Sequence, residues 1–397
     1  MSRDANPPAP APSRREALRR GLGGAAGLGI WAWSGASPAS WAEDARAEGQ
    51  ELIIHNLVPL DAETPVTALG DWITPIDRFF VRSHFGAPAI GPDGWRLSIS
   101  GLVDRPIVLS LDDLAGMDQV AMPAVLQCAG NGRGLFKPNV PGIAWARGAV
   151  GNAEWSGVRL RDVLDRAGVR DASRHVHLLG ADLPPHPKTP AFLRSIPLEK
   201  AMDPTTILAT HMNGQPLPDL HGGPIRVVVP CWTANHSVKW LRELTLAEEE
   251  APGFYQQTGY RIPRTLAPPG SVIEDPTADV VPVTAMNVKS LITHPGQGQA
   301  LRPGRVEIAG VAWTGPGRVT RVEVSVDDGP WQEAALEGPE VEGSWRTWRL
   351  AWEAPSGPHT LRARATDSHG ETQPEQSPWN KSGYLWNAIE RVSVEVG

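Results

Sequence analysis

The alternation of apolar and polar residues predicts that much of the chain folds into strands, with a few short helices. Residues 95–103 alternate like a half-buried strand, and residues 175–180 form a second short strand pattern. Apolar side chains keep helical spacing over residues 160–167, and Gly168 follows as a C-terminal stop. Ser110 is placed to cap a short helix that begins after it. The pattern predicts helices mixed with strands before residue 265.

The last part of the chain, residues 283–397, alternates more regularly and predicts a separate all-β domain. The alternating segments are residues 321–326, 348–352, 361–365 and 392–396. Strands at this spacing are typical of an immunoglobulin-like sandwich. The predicted fold class is therefore α+β, with a mixed α/β domain over residues 71–265, a proline-rich linker over residues 266–282, and the sandwich.

The beginning of the chain, residues 1–42, predicts an export signal that is not part of the fold. Ser13-Arg-Arg-Glu-Ala-Leu18 resembles the twin-arginine motif, a glycine-rich apolar run follows, and Ser40-Trp-Ala42 offers a cleavage site. The apolar run is too short to span a membrane. A disordered basic tail is the alternative. The signal predicts a periplasmic protein that is exported folded, by the twin-arginine pathway.

Residues 43–70 predict an irregular arm. Its one apolar patch, residues 52–54, is expected to pack on the domain that follows.

Composition and charge restrict the classes of function that the chain can have. The 397 residues are 41% hydrophobic, enough for two cores, and the 39 prolines and 41 glycines agree with many turns. The formal charge of −7 becomes −10 without residues 1–42, which argues against nucleic acid and suits a cationic protein partner. Two cysteines cannot form a disulfide framework, and we interpret Cys231 as a buried thiol.

The candidate chemistry centres on Cys128, which ends an apolar run and precedes a glycine-rich turn. Arg133 in that turn is expected to lower the cysteine pKa and favour a metal-binding or nucleophilic thiolate. Gly130, Gly132 and Gly134 would let the backbone approach a large anionic ligand. The alternative is a buried structural cysteine before a surface turn. The residues alone leave both interpretations open.

Basic side chains recur at other predicted strand ends. Arg82 and His84 would share one face if the segment before them is a strand, although solvated charges at a strand end are the alternative. Arg226 adjoins a buried strand pattern, and Lys239 follows it. Taken alone, the segment that contains Arg226 and Lys239 could also be a core strand bordered by turn residues. Together with Arg133, these cations suit a phosphate and an oxyanion.

Several ordered motifs make the chain resemble the sulfite oxidase family of molybdopterin enzymes over roughly residues 60–397. The motifs are Leu126-Gln-Cys-Ala-Gly-Asn-Gly-Arg133, Phe79-Phe-Val-Arg-Ser-His84, Met212-Asn-Gly-Gln-Pro-Leu-Pro218, His221-Gly-Gly-Pro-Ile-Arg226 with the residues to Pro230, Ser237-Val-Lys-Trp-Leu241, Tyr260 and Trp379-Asn380. The resemblance implies a molybdenum cofactor-binding domain followed by a dimerisation domain, and hence a homodimer.

The resemblance also assigns site residues. Cys128 would be the one protein ligand of molybdenum carried by molybdopterin. The anion pocket would be formed by Arg82, Arg133 and Tyr260, with Trp155 as a wall. The cofactor would be held by Phe80, Val81, Arg82, Ser83, His84, Cys128, Asp182, His221, Arg226, Ser237, Val238 and Lys239.

The activity that the resemblance implies is oxidation of sulfite to sulfate. Since the sequence has no Cys-x-x-Cys-His haem motif, the electrons are expected to pass to an external c-type cytochrome. One departure concerns the pocket, because vertebrate members carry a further substrate arginine where this chain has Lys381-Ser382. Within the family, the alternative is a sulfane dehydrogenase that acts on carrier-bound sulfur. A non-enzymatic binding protein is the alternative outside the family.

Overall fold

The computed structural model describes residues 52–266, 268 and 279–397, and these fall in one contact unit of the chain. The predicted export signal, the first part of the predicted arm and most of the predicted linker lie outside the described residues, so those assignments stay predictions. In the described residues, no helix is both long and apolar enough to cross a bilayer.

The first part of the described chain contains four short helices and thirteen strands. The helices are α1 (Leu111–Ala115), α2 (Leu160–Ala167), α3 (Leu198–Met202) and α4 (Phe254–Gln257). The strands are β1 (Ile53–Leu57), β2 (Leu60–Glu63), β3 (Leu97–Gly101), β4 (Ile107–Leu109), β5 (Gln119–Gln127), β6 (Val150–Arg159), β7 (His175–Gly180), β8 (Leu193–Pro197), β9 (Ile207–Met212), β10 (Gln215–Pro216), β11 (Arg226–Val228), β12 (Leu241–Ala247) and β13 (Arg261–Pro263).

Two five-stranded sheets build this part of the chain. One sheet has the order β4-β3-β12-β7-β8, in which only the β3–β12 pair is parallel. The other has the order β10-β9-β6-β5, with β11 also paired to β9. Helix α2 buries Leu160, Val163, Leu164 and Ala167 in the core that the sheets share. The helical spacing in the sequence therefore reports the buried face of α2.

The predicted local signals are confirmed in this part. Gly168 follows α2 with φ of +77°, a conformation that favours glycine. Ser110 caps α1, and its hydroxyl accepts a hydrogen bond from the Asp113 backbone N–H while the Asp113 carboxylate accepts one from the Ser110 N–H. Capping residues and helical spacing were therefore sufficient to predict helices α1 and α2.

Residues 71–84 do not supply the strand on which a shared face for Arg82 and His84 was conditional, because they contain a 3-10 turn at Ile76–Arg78 and a single bridge between Val81 and Ala62. Two predictions for the arm are wrong. The arm is not irregular in its described part, since β1 and β2 form an antiparallel hairpin. Its apolar patch does not pack on the next domain, because Ile53 and Ile54 remain 48% and 43% exposed. Polar side chains on β2, and not the apolar patch, attach the hairpin to the domain that follows.

The C-terminal part is an antiparallel sandwich, which confirms the predicted all-β domain. Its strands are β15 (Lys289–His294), β16 (Ala300–Leu301), β17 (Gly304–Trp313), β18 (Val319–Val326), β19 (Gln332–Glu333), β20 (Ala335–Glu337), β21 (Arg346–Ala354), β22 (Gly357–Asp367) and β23 (Arg391–Val396), preceded by β14 (Val280–Pro282), which pairs with β13. The two sheets have the orders β15-β17-β21-β20 and β16-β23-β22-β18-β19. Only the short β16–β23 pair is parallel.

The sandwich is joined to the strand that leads into the cysteine loop. The indole N–H of Trp313 donates to Oε1 of Gln127 over 2.7 Å, immediately before Cys128. The amide of Asn152 in β6 donates to the Ser344 hydroxyl over 2.9 Å. Trp313 also belongs to an apolar cluster with Val125 of β5. These contacts fix the position at which β5 ends.

The β6–β9 pairing depends on Gly157, which lies opposite Ala209. A Cβ atom there would lie 1.9 Å from the Leu208 carbonyl oxygen. We therefore expect Gly157→Ala to lower the free energy of unfolding by about 3 kcal/mol, as measured by urea denaturation. Gly91 is the matched control, because its φ is −73° and a Cβ atom added to it would have no neighbour within 4 Å. Gly91→Ala should change stability by less than about 0.5 kcal/mol, and equal losses in both variants would contradict the prediction.

Candidate active site

One cavity collects most of the predicted site residues. It is lined by Phe79, Phe80, Arg82, Ser83, His84, Leu126, Cys128, Ala129, Asp182, Phe192, Leu220, His221, Arg226, Ala234, Asn235, Ser237, Val238, Lys239, Trp240 and Tyr260. These residues come from several separate stretches of sequence. The fold therefore brings together motifs that the sequence could only place in order.

Cys128 lies at the end of β5, where its backbone N–H donates to Ala149 O over 2.9 Å. The side chain is buried, and burial raises the pKa of the Cys128 thiol more than the charges of Arg133 and Arg82 lower it. Arg133 acts in the expected direction, but burial outweighs its effect, so the neighbouring charges do not by themselves favour a thiolate. A metal ion would instead displace the thiol proton on binding.

The cysteine loop is close-packed at its glycines. Gly132 has φ of +90°, and a Cβ atom on it would lie 2.8 Å from Trp386. A Cβ atom on Gly130 would lie 2.5 Å from the Arg133 guanidinium. The two glycines thus allow contacts with protein side chains, in addition to the ligand approach that the sequence suggested.

The β1–β2 hairpin orients Arg82. The Asp61 carboxylate on β2 accepts a hydrogen bond of 3.0 Å from Arg82 Nη1. Val81, which lies between Phe80 and Arg82, is paired to Ala62 by two backbone hydrogen bonds of 2.9 Å and 2.8 Å. Val81 does not line the cavity, so its predicted cofactor contact is not seen. It holds the backbone so that its two neighbours face the cavity.

His84 and Tyr260 form a second pair on the cavity wall, with 3.0 Å between Nε2 and Oη. Burial lowers the pKa of His84 well below its usual value, and the charges of Arg82 and Lys239 lower it further. Burial raises the pKa of Tyr260, although Arg82 opposes that effect. At neutral pH the pair is therefore a neutral imidazole and a protonated phenol.

Arg226 is a buried cation and Lys239 a half-buried one, and neither has a carboxylate within hydrogen-bond reach among the described residues. Lys239 Nζ donates to Ser83 Oγ and to Leu220 O, each over 2.9 Å. Burial lowers the pKa of Lys239 and lowers the pKa of Arg226 to about 9. Arg226 donates to two backbone carbonyls, and its Nε has no protein partner in the described chain. Buried charges of this kind need an anion.

The donor set fits the cofactor that the resemblance implies. A pterin phosphate in the cavity would offset the charges of Arg226 and Lys239, and it could accept from the unpartnered Arg226 Nε. Asp182 is the carboxylate that lines the cavity, and burial raises its pKa to about 6. Its negative charge, which opposes that of a phosphate, is therefore lost as the pH falls below about 6. In the described residues no three His, Cys, Asp or Glu side chains are grouped to hold a metal. Cys128 is therefore the candidate protein ligand.

Arg133 does not line the cavity, so its predicted place in the anion pocket is not confirmed. Its Nε donates to Ser382 O over 3.0 Å and its Nη1 to Ile143 O over 3.3 Å. The guanidinium carbon lies 5.3 Å from the centre of the Tyr384 ring. Arg133 thus connects the cysteine loop to the C-terminal segment.

Trp155 does not line the cavity, so its predicted place as a wall is not confirmed. Its side chain is fully buried in β6, and its indole N–H donates to Ala124 O over 3.1 Å. Trp145 does not line the cavity either. It belongs to the same apolar cluster as Trp155 and Cys128, and its buried indole N–H has no partner among the described residues.

Comparison with known proteins agrees with this geometry. Residues 84–255 match the oxidoreductase molybdopterin binding domain, and residues 281–397 match the Mo-co oxidoreductase dimerisation domain. Mitochondrial sulfite oxidase of Mus musculus is 38% identical, over 87% of this chain and 66% of that protein. Sulfite oxidase of Arabidopsis thaliana is 32% identical, over 85% of this chain and 92% of that protein.

A solved structure is similar along nearly the whole chain. The sulfane dehydrogenase SoxCD from Paracoccus pantotrophus aligns with a TM-score of 0.76 and 29% identity, over 97% of both chains. The fold and the cavity thus define a molybdopterin-binding oxidoreductase. On the identity to its relatives, the chain belongs to the sulfite oxidase family, and its cofactor is molybdenum held by molybdopterin.

The position of Cys128 predicts that it is essential for the metal centre but not for the fold. We expect Cys128→Ser to abolish turnover and remove the sulfur-to-metal absorption bands, while circular dichroism and bound pterin remain unchanged. Cys231→Ser is the matched control, because Cys231 is also buried but does not line this cavity. Turnover retained in Cys128→Ser would show that its thiolate is not the ligand.

The two tryptophans should differ in their effect on stability. Trp155→Phe removes a buried hydrogen bond, so we expect a loss of about 2 kcal/mol in stability and little change in turnover. Trp145→Phe removes an N–H that has no partner in the described chain, so we expect a smaller loss of stability and also little change in turnover. Steady-state kinetics and urea denaturation measure both. A kinetic defect confined to Trp155→Phe would instead support Trp155 as the residue that shapes the pocket.

Proposed function

We propose that this chain oxidises sulfite to sulfate in the periplasm and passes the electrons to an external c-type cytochrome. Sulfite and one water give sulfate, two protons and two electrons, and the electrons leave in two one-electron transfers. The observation that carries the proposal is one cavity in which the Cys128 thiol meets Arg82, His84 and Tyr260. The sulfite oxidases among its relatives support the same substrate.

The cofactor, when bound, supplies an oxygen atom and accepts the two electrons. Cys128 would hold the metal, and Arg226 and Lys239 would hold the pterin phosphate through charge-assisted hydrogen bonds. Burial of Arg226 and Lys239 strengthens those interactions, because the surrounding medium screens them less than water does.

Arg82 and Tyr260 would bind the substrate oxyanion. Asp61 fixes the orientation of Arg82 through one Nη1 atom, which leaves its other N–H groups available to sulfite oxygens. The phenol of Tyr260 keeps its proton, so its Oη can donate a hydrogen bond to an oxyanion. With its proton on Nε2, His84 would donate to that Oη over 3.0 Å and leave the hydroxyl proton for the oxyanion.

Charge and sequence support the partner and the location. The formal charge of −10 outside residues 1–42 suits a cationic electron acceptor, whose encounter rate would fall with ionic strength. The twin-arginine pattern of the first 42 residues supports export. The match of residues 281–397 to a dimerisation domain supports a homodimer. The chain spans 66% of the length of the mouse relative. The partner, the location and the dimer are therefore proposed for this chain and are not taken over from that relative.

A sulfane dehydrogenase is the second candidate function. It is favoured by one observation, the alignment with SoxCD over 97% of both chains. In that case the substrate would be sulfur carried on a partner protein. The cavity residues would be the same, and the rim would have to admit a carrier arm.

The deciding experiment uses exported protein that is already shown to contain molybdenum. We expect sulfite-dependent reduction of cytochrome c or ferricyanide, with Cys128→Ser as the inactive control. A parallel assay offers sulfane on a carrier protein. Activity only with the carrier would replace the first proposal by the second. No activity of the metal-replete protein with either substrate would contradict both.

A further inference from the structure

Arg194 is a buried cation beside the active-site cavity that the assignments above do not use. It lies in β8, opposite Leu178 of β7, and its side chain is fully buried. Most buried arginines are paired with a carboxylate, because an unpaired charge in the interior is costly. Whether the Arg194 charge is structural or functional therefore depends on which groups it contacts.

Neutral groups surround the Arg194 guanidinium. One nitrogen donates to the Tyr255 carbonyl oxygen, and another lies 3.4 Å from Nε2 of His236. Its Nε has no partner among the described residues. Glu250, the carboxylate that acts on its pKa, is already bonded to Arg261 over 2.9 Å. No carboxylate of the described chain is ion-paired with Arg194.

The guanidinium nevertheless remains charged at neutral pH. Burial lowers the pKa of Arg194 only to about 10, and Tyr260 is among the groups that oppose the decrease. His236 cannot share the charge, because burial lowers its own pKa to about 3. A positive charge that stays in the interior without a protein anion favours an anion supplied from outside.

The charge lies against the substrate side of the cavity. The guanidinium carbon is 5.3 Å from the centre of the Tyr260 ring. Phe192, two residues before Arg194, lines the cavity and stacks on His84 with 4.4 Å between ring centres. Arg194 is also one of the charges that lower the pKa of His84. Its field therefore acts on the Tyr260–His84 pair.

The C-terminal segment does not provide this charge. Lys381 is exposed, and Ser382 contributes its carbonyl oxygen to Arg133. Tyr384 stacks on Tyr260 with 5.4 Å between ring centres, so an uncharged aromatic ring occupies the adjoining position. The cation that lies beside Tyr260 thus comes from a different strand, as Arg194 of β8.

We propose that Arg194 is a specificity residue whose buried charge, held against Tyr260, makes the cavity select a free oxyanion. The proposal rests on the proposed oxidation of sulfite and deepens it. Arg194 acts through space and through the position of Tyr260, and it need not touch the substrate. A dianion gains from the added charge, whereas an uncharged sulfane on a carrier does not.

The test compares variants that separate charge from hydrogen bonding. Arg194→Gln can still donate to Tyr255 O but is neutral, and Arg194→Lys keeps the charge. On molybdenum-loaded full-length protein, sulfate affinity is measured from the shift in thermal midpoint with sulfate, against chloride at equal ionic strength. We expect Arg194→Gln to weaken sulfate binding and raise the KM for sulfite roughly tenfold, with kcat changed less than about threefold. Arg194→Lys should stay within about threefold of wild type.

Arg362→Gln is the matched control, since Arg362 is a buried arginine of the sandwich that pairs with Asp328 and Glu375. It should leave sulfate affinity unchanged. Arg194→Met is a second neutral variant if the glutamine variant does not fold. Unchanged sulfate affinity in the neutral variants, equal weakening in Arg194→Lys, or loss of molybdenum would each overturn the proposal. A wild-type protein without sulfite turnover would contradict only the proposed function, because sulfate binding still tests Arg194.

Discussion

The excess of buried positive charge around one cavity is the constraint on which the rest of this structure depends. Arg226, Lys239 and Arg194 are all interior cations without a carboxylate in direct contact among the described residues. Arg82 is the cavity cation that is directly paired, and its partner Asp61 lies on β2, outside the cavity lining. Such an arrangement is unfavourable by itself, and it becomes favourable when anionic cofactor and substrate groups enter. Ligand binding therefore stabilises the protein as well as completing the site.

The two domains and the hairpin are arranged to hold that cavity in a fixed shape. The sandwich contacts β5 through Trp313 and Gln127, and so it determines where Cys128 projects. The hairpin supplies the acid that orients Arg82, while its apolar residues remain exposed. Elements far from the chemistry therefore set its geometry, because a rigid site needs its supporting contacts to come from several parts of the fold.

Much of this could be predicted from local signals. The Ser110 cap and the apolar face of α2 depend on residues within one or two turns, and both predictions are confirmed. No strand forms before Arg82, although Arg82 and His84 do both line the cavity. The backbone there is irregular and is held by tertiary hydrogen bonds, and periodicity carries no information about such contacts.

The sequence by itself determined the family, the cofactor, the β-rich architecture and the cysteine at the centre of the site, because those follow from ordered motifs and local periodicity. Only the tertiary structure decided which side chains face the cavity. It placed Trp155 in the core, turned Arg133 towards the C-terminal segment, and brought Arg194 against Tyr260. Burial and pairing of a charge depend on residues distant in the chain, and a sequence pattern cannot supply those distances.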